Sequence, residues 1–187
     1  MFYLGLILFF CTHLFASLTG LRAGLVAALG EKSYKLGFVL LSVAGLVLVC
    51  IGYNPQSATF YQPVLFVYKT AHMYMPLAFV LVASAHMPCH IKQWVKHPML
   101  TGMLVWSLTH LAVNPDQHSV LLFGGFALYS LYALVSALAR GKTIPNKKPV
   151  AWKYDLFAVL GGLVAYALLF GLHNWLFGVS PMLLHAG

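Results

Sequence analysis

Apolar positions in this chain neither alternate strictly nor recur with a clean helical stripe; they run on in long blocks separated by short polar punctuation. A helix crossing the hydrocarbon core of a bilayer takes about 20 mostly apolar residues. Six blocks meet or approach that length: residues 2–19, 34–52, 63–86, 98–113, 119–139 and 155–177. Between them stand Tyr53-Asn54-Pro55, Met87-Pro88, Asn114-Pro115 and a basic, proline-containing run over 141–149, each carrying a proline that breaks a helix. The fourth block spans only about 24 Å at the helical rise, so it is expected to stand upright or to be sheltered by neighbours. Pro76 lies inside the third block and predicts a kink there. The pattern therefore predicts an all-α, polytopic membrane helical bundle of about six transmembrane helices, folded as a single domain over 1–187. Between the first two blocks, Leu21, Leu25, Val26 and Leu29 mix with Arg22, Glu31, Lys32 and Lys35. That stretch reads either as a short amphipathic helix along the membrane surface or as a plain connector.

Composition sharpens this picture. The chain is 61 % hydrophobic and 7 % charged, with eleven Lys/Arg against three acids. Soluble domains are about a quarter charged, so a solvated globular surface is excluded, and with it a disordered tail. Three cysteines do not make a disulfide scaffold. They read as small buried or interfacial residues. The formal charge of +8 suggests nucleic acid only until the cations are placed on the threading. Arg22, Lys32 and Lys35 fall in the first loop, Lys92 and Lys96 in the third, and Arg140, Lys142, Lys147, Lys148 and Lys153 in the fifth. Ten of the eleven basic residues thus lie on one side, which the positive-inside rule makes cytoplasmic. Both termini are then expected on the outer, periplasmic side, with membrane lipid and not nucleic acid as the partner. The first block lacks the basic stretch that opens a secretory signal and is expected to be retained. Lys69 is the exception, a turn or two into the third helix on the outer side, and a stray cation at that depth suggests function.

Nine histidines outnumber the acids three to one. Imidazole inside a membrane serves as a metal ligand, a proton relay or a packed group bonded to backbone. Counting helical rise, His13 lies about 17 Å, His72 about 14 Å and His110 about 18 Å along their helices, so all three fall at middle-to-outer depth. Glu31, Asp116 and Asp155 lie near helix ends, and neither HExxH nor CxxC occurs. This disfavours a zinc enzyme site and hard oxygen-bound cations. Haem needs only one or two axial histidines, because the macrocycle supplies four nitrogens. The His13 face carries Ser17 and Gly20 with Phe9 and Leu6 behind; the His110 face carries Ser107, Trp106, Met103 and Gly102. Small residues with aromatics beside an imidazole suit a porphyrin edge, and equally suit plain helix packing. Lys69 is positioned to meet outward-pointing propionates, or else to snorkel to headgroups.

The run Cys11-Thr-His-Leu-Phe-Ala-Ser-Leu18, the stretch Leu29-Gly-Glu-Lys-Ser-Tyr-Lys35 and the segment Lys96-His-Pro-Met-Leu-Thr-Gly-Met-Leu-Val-Trp-Ser-Leu-Thr-His110 resemble the NnrU family of membrane proteins. Tyr154-Asp-Leu-Phe-Ala-Val159 and Leu172-His-Asn-Trp-Leu-Phe-Gly178 continue the likeness, which covers essentially the whole chain. The resemblance implies a multi-pass protein of the bacterial inner (plasma) membrane associated with nitrite and nitric oxide metabolism. Its relative, the zeta-carotene isomerase, is a haem-b membrane enzyme, and by that likeness haem b (iron) is the cofactor and its axial ligands fall on His13 and His110. His72 is the substitute ligand. The isomerase's cysteine three residues before its second histidine corresponds to Ser107 here, so a thiolate switch at that place is not implied. Lys96-His97-Pro98 is similar to the Arg-His-Pro signature of isoprenylcysteine methyltransferases, but lysine replaces arginine and no paired glutamates follow. As a local device, His97-Pro98 reads as a helix start. Three functions are therefore expected in descending order: a bis-His, redox-active haem protein of nitrogen-oxide metabolism, a haem-dependent isomerase of a carotenoid-like polyene, and a methyltransferase-like enzyme using the His97 region. The apolar ligand expected is accordingly nitric oxide or a polyene.

Overall fold

The computed structural model describes residues 1–141, 149–179 and 181. Lys142, Lys147 and Lys148 of the fifth loop lie outside the described residues. Among those described, every regular element is helical, with one isolated bridge between Thr59 and Asp116. The chain divides into two compact units, Met1–Ser57 and Ala58–Gly187.

In the first unit, α1 (Phe2–Ser17) packs against α3 (Glu31–Gly52), with α2 (Thr19–Leu29) between them in sequence. Glycines set the approach of α1 and α3: a Cβ on Gly5 would stand 2.6 Å from the Gly45 carbonyl oxygen. In lipid, no hydrophobic force draws helices together, so close backbone contact through small residues replaces it. The chain turns by 93° between α1 and α2. α2 buries none of its residues and carries Leu21, Leu25 and Leu29, all exposed, on one stripe. A helix, and not a plain connector, therefore occupies this stretch. It ends at Gly30, whose φ of 79° lies in the left-handed region. α3 then opens at Glu31, so Glu31, Lys32 and Lys35 belong to the spanning helix and not to the connector. The expectation that Arg22–Lys35 is one mixed stretch is corrected accordingly. Glu31 holds Lys35 at 2.6 Å across one turn.

The second unit contains α4 (Leu65–Ser84), α5 (His90–Val95), α6 (Pro98–Val113), α7 (Gln117–Ala139) and α8 (Lys153–Phe177). α4 packs between α6 and α8, and α7 covers α6. α4 continues through Pro76 as one helix. Pro98 stands in the first turn of α6 with His97 as N-cap, the helix-start reading of that pair. Asp116 caps α7 by accepting the Ser119 N–H at 2.9 Å. Among the described residues four helices are long and apolar enough to cross a membrane, or five if the bent α1–α2 pair is one span, and α6 is a shorter apolar helix. Large apolar side chains such as Leu128, Leu168 and Trp175 lie exposed on these helices. Bilayer hydrocarbon is the solvent that makes such a surface stable.

Segment 58–64 closes over the C-terminal end of α6. Phe60 N–H donates to the Pro115 carbonyl at 2.9 Å, Val64 N–H to Ala112 at 2.9 Å, and Gln117 N–H to Ala58 at 2.8 Å. The Tyr61 hydroxyl donates to the Leu111 carbonyl and to that of Asn114. These are carbonyls that a helix end leaves without an intrahelical partner. Burial, and secondarily the charge of Asp116, raise the Tyr61 pKa, so the phenol stays protonated and able to donate. Tyr61→Phe is expected to lower stability by about 1–2 kcal/mol, read as a lower melting temperature in detergent. An unchanged melt shows that water replaces the hydroxyl.

Candidate functional site

Two imidazoles are held alike, one in each unit. On α1, His13 Nδ1 donates to the Phe9 carbonyl at 2.8 Å. On α6, His110 Nδ1 donates to the Trp106 carbonyl at 2.9 Å. A carbonyl only accepts, so each ring carries its proton on Nδ1 and, when neutral, its lone pair on Nε2. Metal-ligating histidines are oriented in this way, through a hydrogen bond from the other ring nitrogen.

Each ring is collared by aromatics. His13 stacks on Phe9 with centroids 4.1 Å apart and meets Phe38 of α3 at 5.0 Å. His110 lies 4.9 Å from Trp106 and 4.6 Å from Phe123 of α7. Trp106 is itself fixed edge-on by Phe123 at 5.2 Å and Phe126 at 5.4 Å. Backbone support comes from one turn on: Ser17 Oγ donates to the His13 carbonyl at 3.0 Å, and Asn114 Nδ2 to the His110 carbonyl at 2.9 Å.

The other sequence candidates are placed differently. Ser107 is fully buried at 0 % exposure and its hydroxyl donates to the Leu104 carbonyl at 3.1 Å. Gly102 is turned to α4, where a Cβ would stand 2.7 Å from the Ala78 carbonyl oxygen. That small residue serves helix packing, while Trp106 and His110 face α7. His72 and Lys69 are both exposed on α4. His97 Nε2 is buried without a hydrogen-bond partner. Cys11 and Cys50 are exposed and Cys89 is buried; all three are free thiols. Among the described residues no three His, Cys, Asp or Glu side chains come together to hold a metal ion.

A second constellation was not legible from sequence. Asp155, in the first turn of α8, takes His90 Nδ1 at 2.6 Å and the Ile91 N–H at 3.0 Å. The His90 ring stacks on Trp152 at 4.2 Å, with Trp94 at 5.9 Å. An acid at a helix start, where the helix dipole favours it, was the available signal. Its partners lie 64 and 65 residues away, beyond any local pattern.

Long apolar helices bearing singly presented imidazoles define a multi-pass helical membrane protein. The family model described as NnrU protein matches residues 1–181, and the chain belongs to that family. No curated protein and no solved structure matches it.

Proposed function

We propose that this NnrU-family chain is a haem-b-binding protein of the bacterial inner membrane, redox-active and serving nitrite and nitric oxide metabolism, with His13 and His110 as axial ligands. In this reading six segments cross the bilayer and both termini lie outside. The observation that carries it is the shared Nδ1–carbonyl bond, by which either ring would ligate through Nε2. The donor chemistry fits haem, because the macrocycle completes a coordination sphere that the protein's own ligand groups do not. Bound haem supplies one-electron chemistry at iron. The chain's own residues do the rest: Phe9, Phe38, Trp106 and Phe123 exclude water from the imidazoles, and the backbone bonds fix their tautomer. A water-poor collar of this kind tunes a metal through its surroundings. Lys69, exposed on α4, is the cation offered to the propionates.

The test is the visible spectrum of the full chain purified from haem-replete cells. A Soret band with split visible peaks on reduction is expected; protein that stays colourless overturns the reading. Lys69→Ala is expected to speed haem loss to an acceptor several-fold while leaving the spectrum intact. Unchanged retention makes Lys69 a headgroup anchor.

A further inference from the structure

The constellation at the basic end of the second unit is used by nothing above. Asp155 is 8 % exposed and its two carboxylate oxygens are both engaged, one by His90 Nδ1 and one by the Ile91 N–H. The carboxylate thus acts as an acceptor at the start of α5 while sitting in the first turn of α8. His90 keeps 21 % of its side chain exposed. Since Nδ1 is committed, Nε2 is the nitrogen offered outward. Trp94 and Trp152 are each 66 % exposed and meet edge-on at 6.2 Å. Two indoles so exposed, beside Lys96 and Lys153, belong at the membrane–water boundary, where amphipathic rings accumulate. Lys92 is occupied, its Nζ donating to the Ala85 carbonyl at 2.7 Å.

We propose that His90, oriented by Asp155 and flanked by Trp94 and Trp152, binds the headgroup of a lipid-soluble quinone or its quinol. Three features select this class. An imidazole tied to a carboxylate is net neutral when protonated and net negative when not, so the pair itself adds no positive charge for a phosphate headgroup, and any pull on one comes from Lys96 and Lys153. The same Nε2 donates to a quinone carbonyl when protonated and accepts from a quinol hydroxyl when neutral, so it serves both redox forms. The exposed indole faces offer flat apolar area to a flat ring, at the depth where a molecule with a polar head and a lipid tail resides. As an electron partner the quinone rests on the haem reading; as a bound ligand it does not.

The full chain in nanodiscs of zwitterionic lipid is titrated with decylubiquinone while tryptophan emission is followed. Saturable quenching is expected, since two of the four tryptophans adjoin the site. His90→Gln is expected to weaken the apparent affinity at least tenfold, and Asp155→Asn to weaken it less, because Asn retains an acceptor for the Ile91 N–H. Melting temperature and haem content are measured on each variant, and Trp94→Phe serves where Asp155→Asn does not fold. Quenching that rises linearly without saturation, reflecting partition into lipid, overturns the proposal. So does wild-type affinity in a folded His90→Gln variant, or an effect of that variant on binding to anionic vesicles alone. A colourless protein with saturable, His90-dependent quenching keeps this site and removes the haem.

Discussion

On the haem reading proposed for this chain, replacing His110 with alanine is expected to abolish the low-spin spectrum, and replacing His13 is expected to do the same, since each would remove one of the two ligating nitrogens. The effect is expected to be large because each ring is held in place by its own backbone bond and aromatic contacts. The His110 ring is held by its Nδ1 bond to the Trp106 carbonyl and by contact with Phe123 at 4.6 Å. Truncation removes the only ligating atom from that collar and leaves Trp106, Phe123 and Phe126, none of which binds iron. His13 sits likewise between Phe9 and Phe38. Each variant is expected to lose most of its haem on purification, or to retain it with a five-coordinate, high-spin spectrum. Glycine at either position, with free imidazole added, is expected to restore the low-spin bands, a rescue that a merely structural role does not give. His72→Ala is the control, since His72 is exposed on α4. If both single alanine variants at 13 and 110 keep a wild-type spectrum, the axial assignment is wrong. If instead His72→Ala converts the spectrum, the substitute ligand is the true one.

Hydropathy made most of the architecture legible because a bilayer imposes a length on every crossing. The apolar blocks predicted over 34–52 and 119–139 correspond to Glu31–Gly52 and Gln117–Ala139, and 98–113 corresponds to Pro98–Val113. The sharp turn at Leu18 was not legible, since no proline or glycine occupies that position and Thr19 opens the next helix directly. α5 spans six residues, too few for a periodic signal. At the candidate site, depth along the helix grouped His13, His72 and His110, the family resemblance chose His13 and His110 among them, and the aromatic collar of His110 followed in part from Trp106 one turn back. Phe123 and Phe38 come from other helices, so no local spacing reveals them. The Tyr61 bonds to the end of α6 and the His90–Asp155 pair join residues 50 or more apart. Such contacts are set by which helices pack together, and hydropathy does not encode that choice.

The packing itself carries a prediction at two adjacent glycines of α8. Gly162 faces α4, where a Cβ would stand 2.6 Å from the Val80 Cα and 2.7 Å from its backbone nitrogen; around Gly161 nothing lies within 4 Å. The obstacle at 162 is helix backbone, which no rotamer change relieves, so α4 and α8 must move apart. Overpacking of this kind costs about 1–3 kcal/mol, and the loss is felt fully because close van der Waals contact is what holds helices together in lipid. Gly161→Ala meets no obstacle and gains about 1 kcal/mol of helix propensity. Gly162→Ala gains the same propensity, so the two variants are expected to differ by the overpacking cost alone, about 1–3 kcal/mol, with Gly162→Ala the less stable. Thermal unfolding in one detergent, read by intrinsic fluorescence, measures the difference. Gly162→Val widens it, since a branched side chain pushes further into Val80, whereas Gly161→Val gives up only part of the propensity that alanine gains. Equal melting temperatures for the two alanine variants show that α8 does not approach α4 through Gly162 in the folded protein. The same logic applies in the first unit, where Gly5→Ala meets the Gly45 carbonyl oxygen at 2.6 Å and Gly37→Ala meets nothing within 4 Å. A destabilised Gly5 variant beside a neutral Gly37 variant establishes the α1–α3 contact that keeps Phe38 against His13.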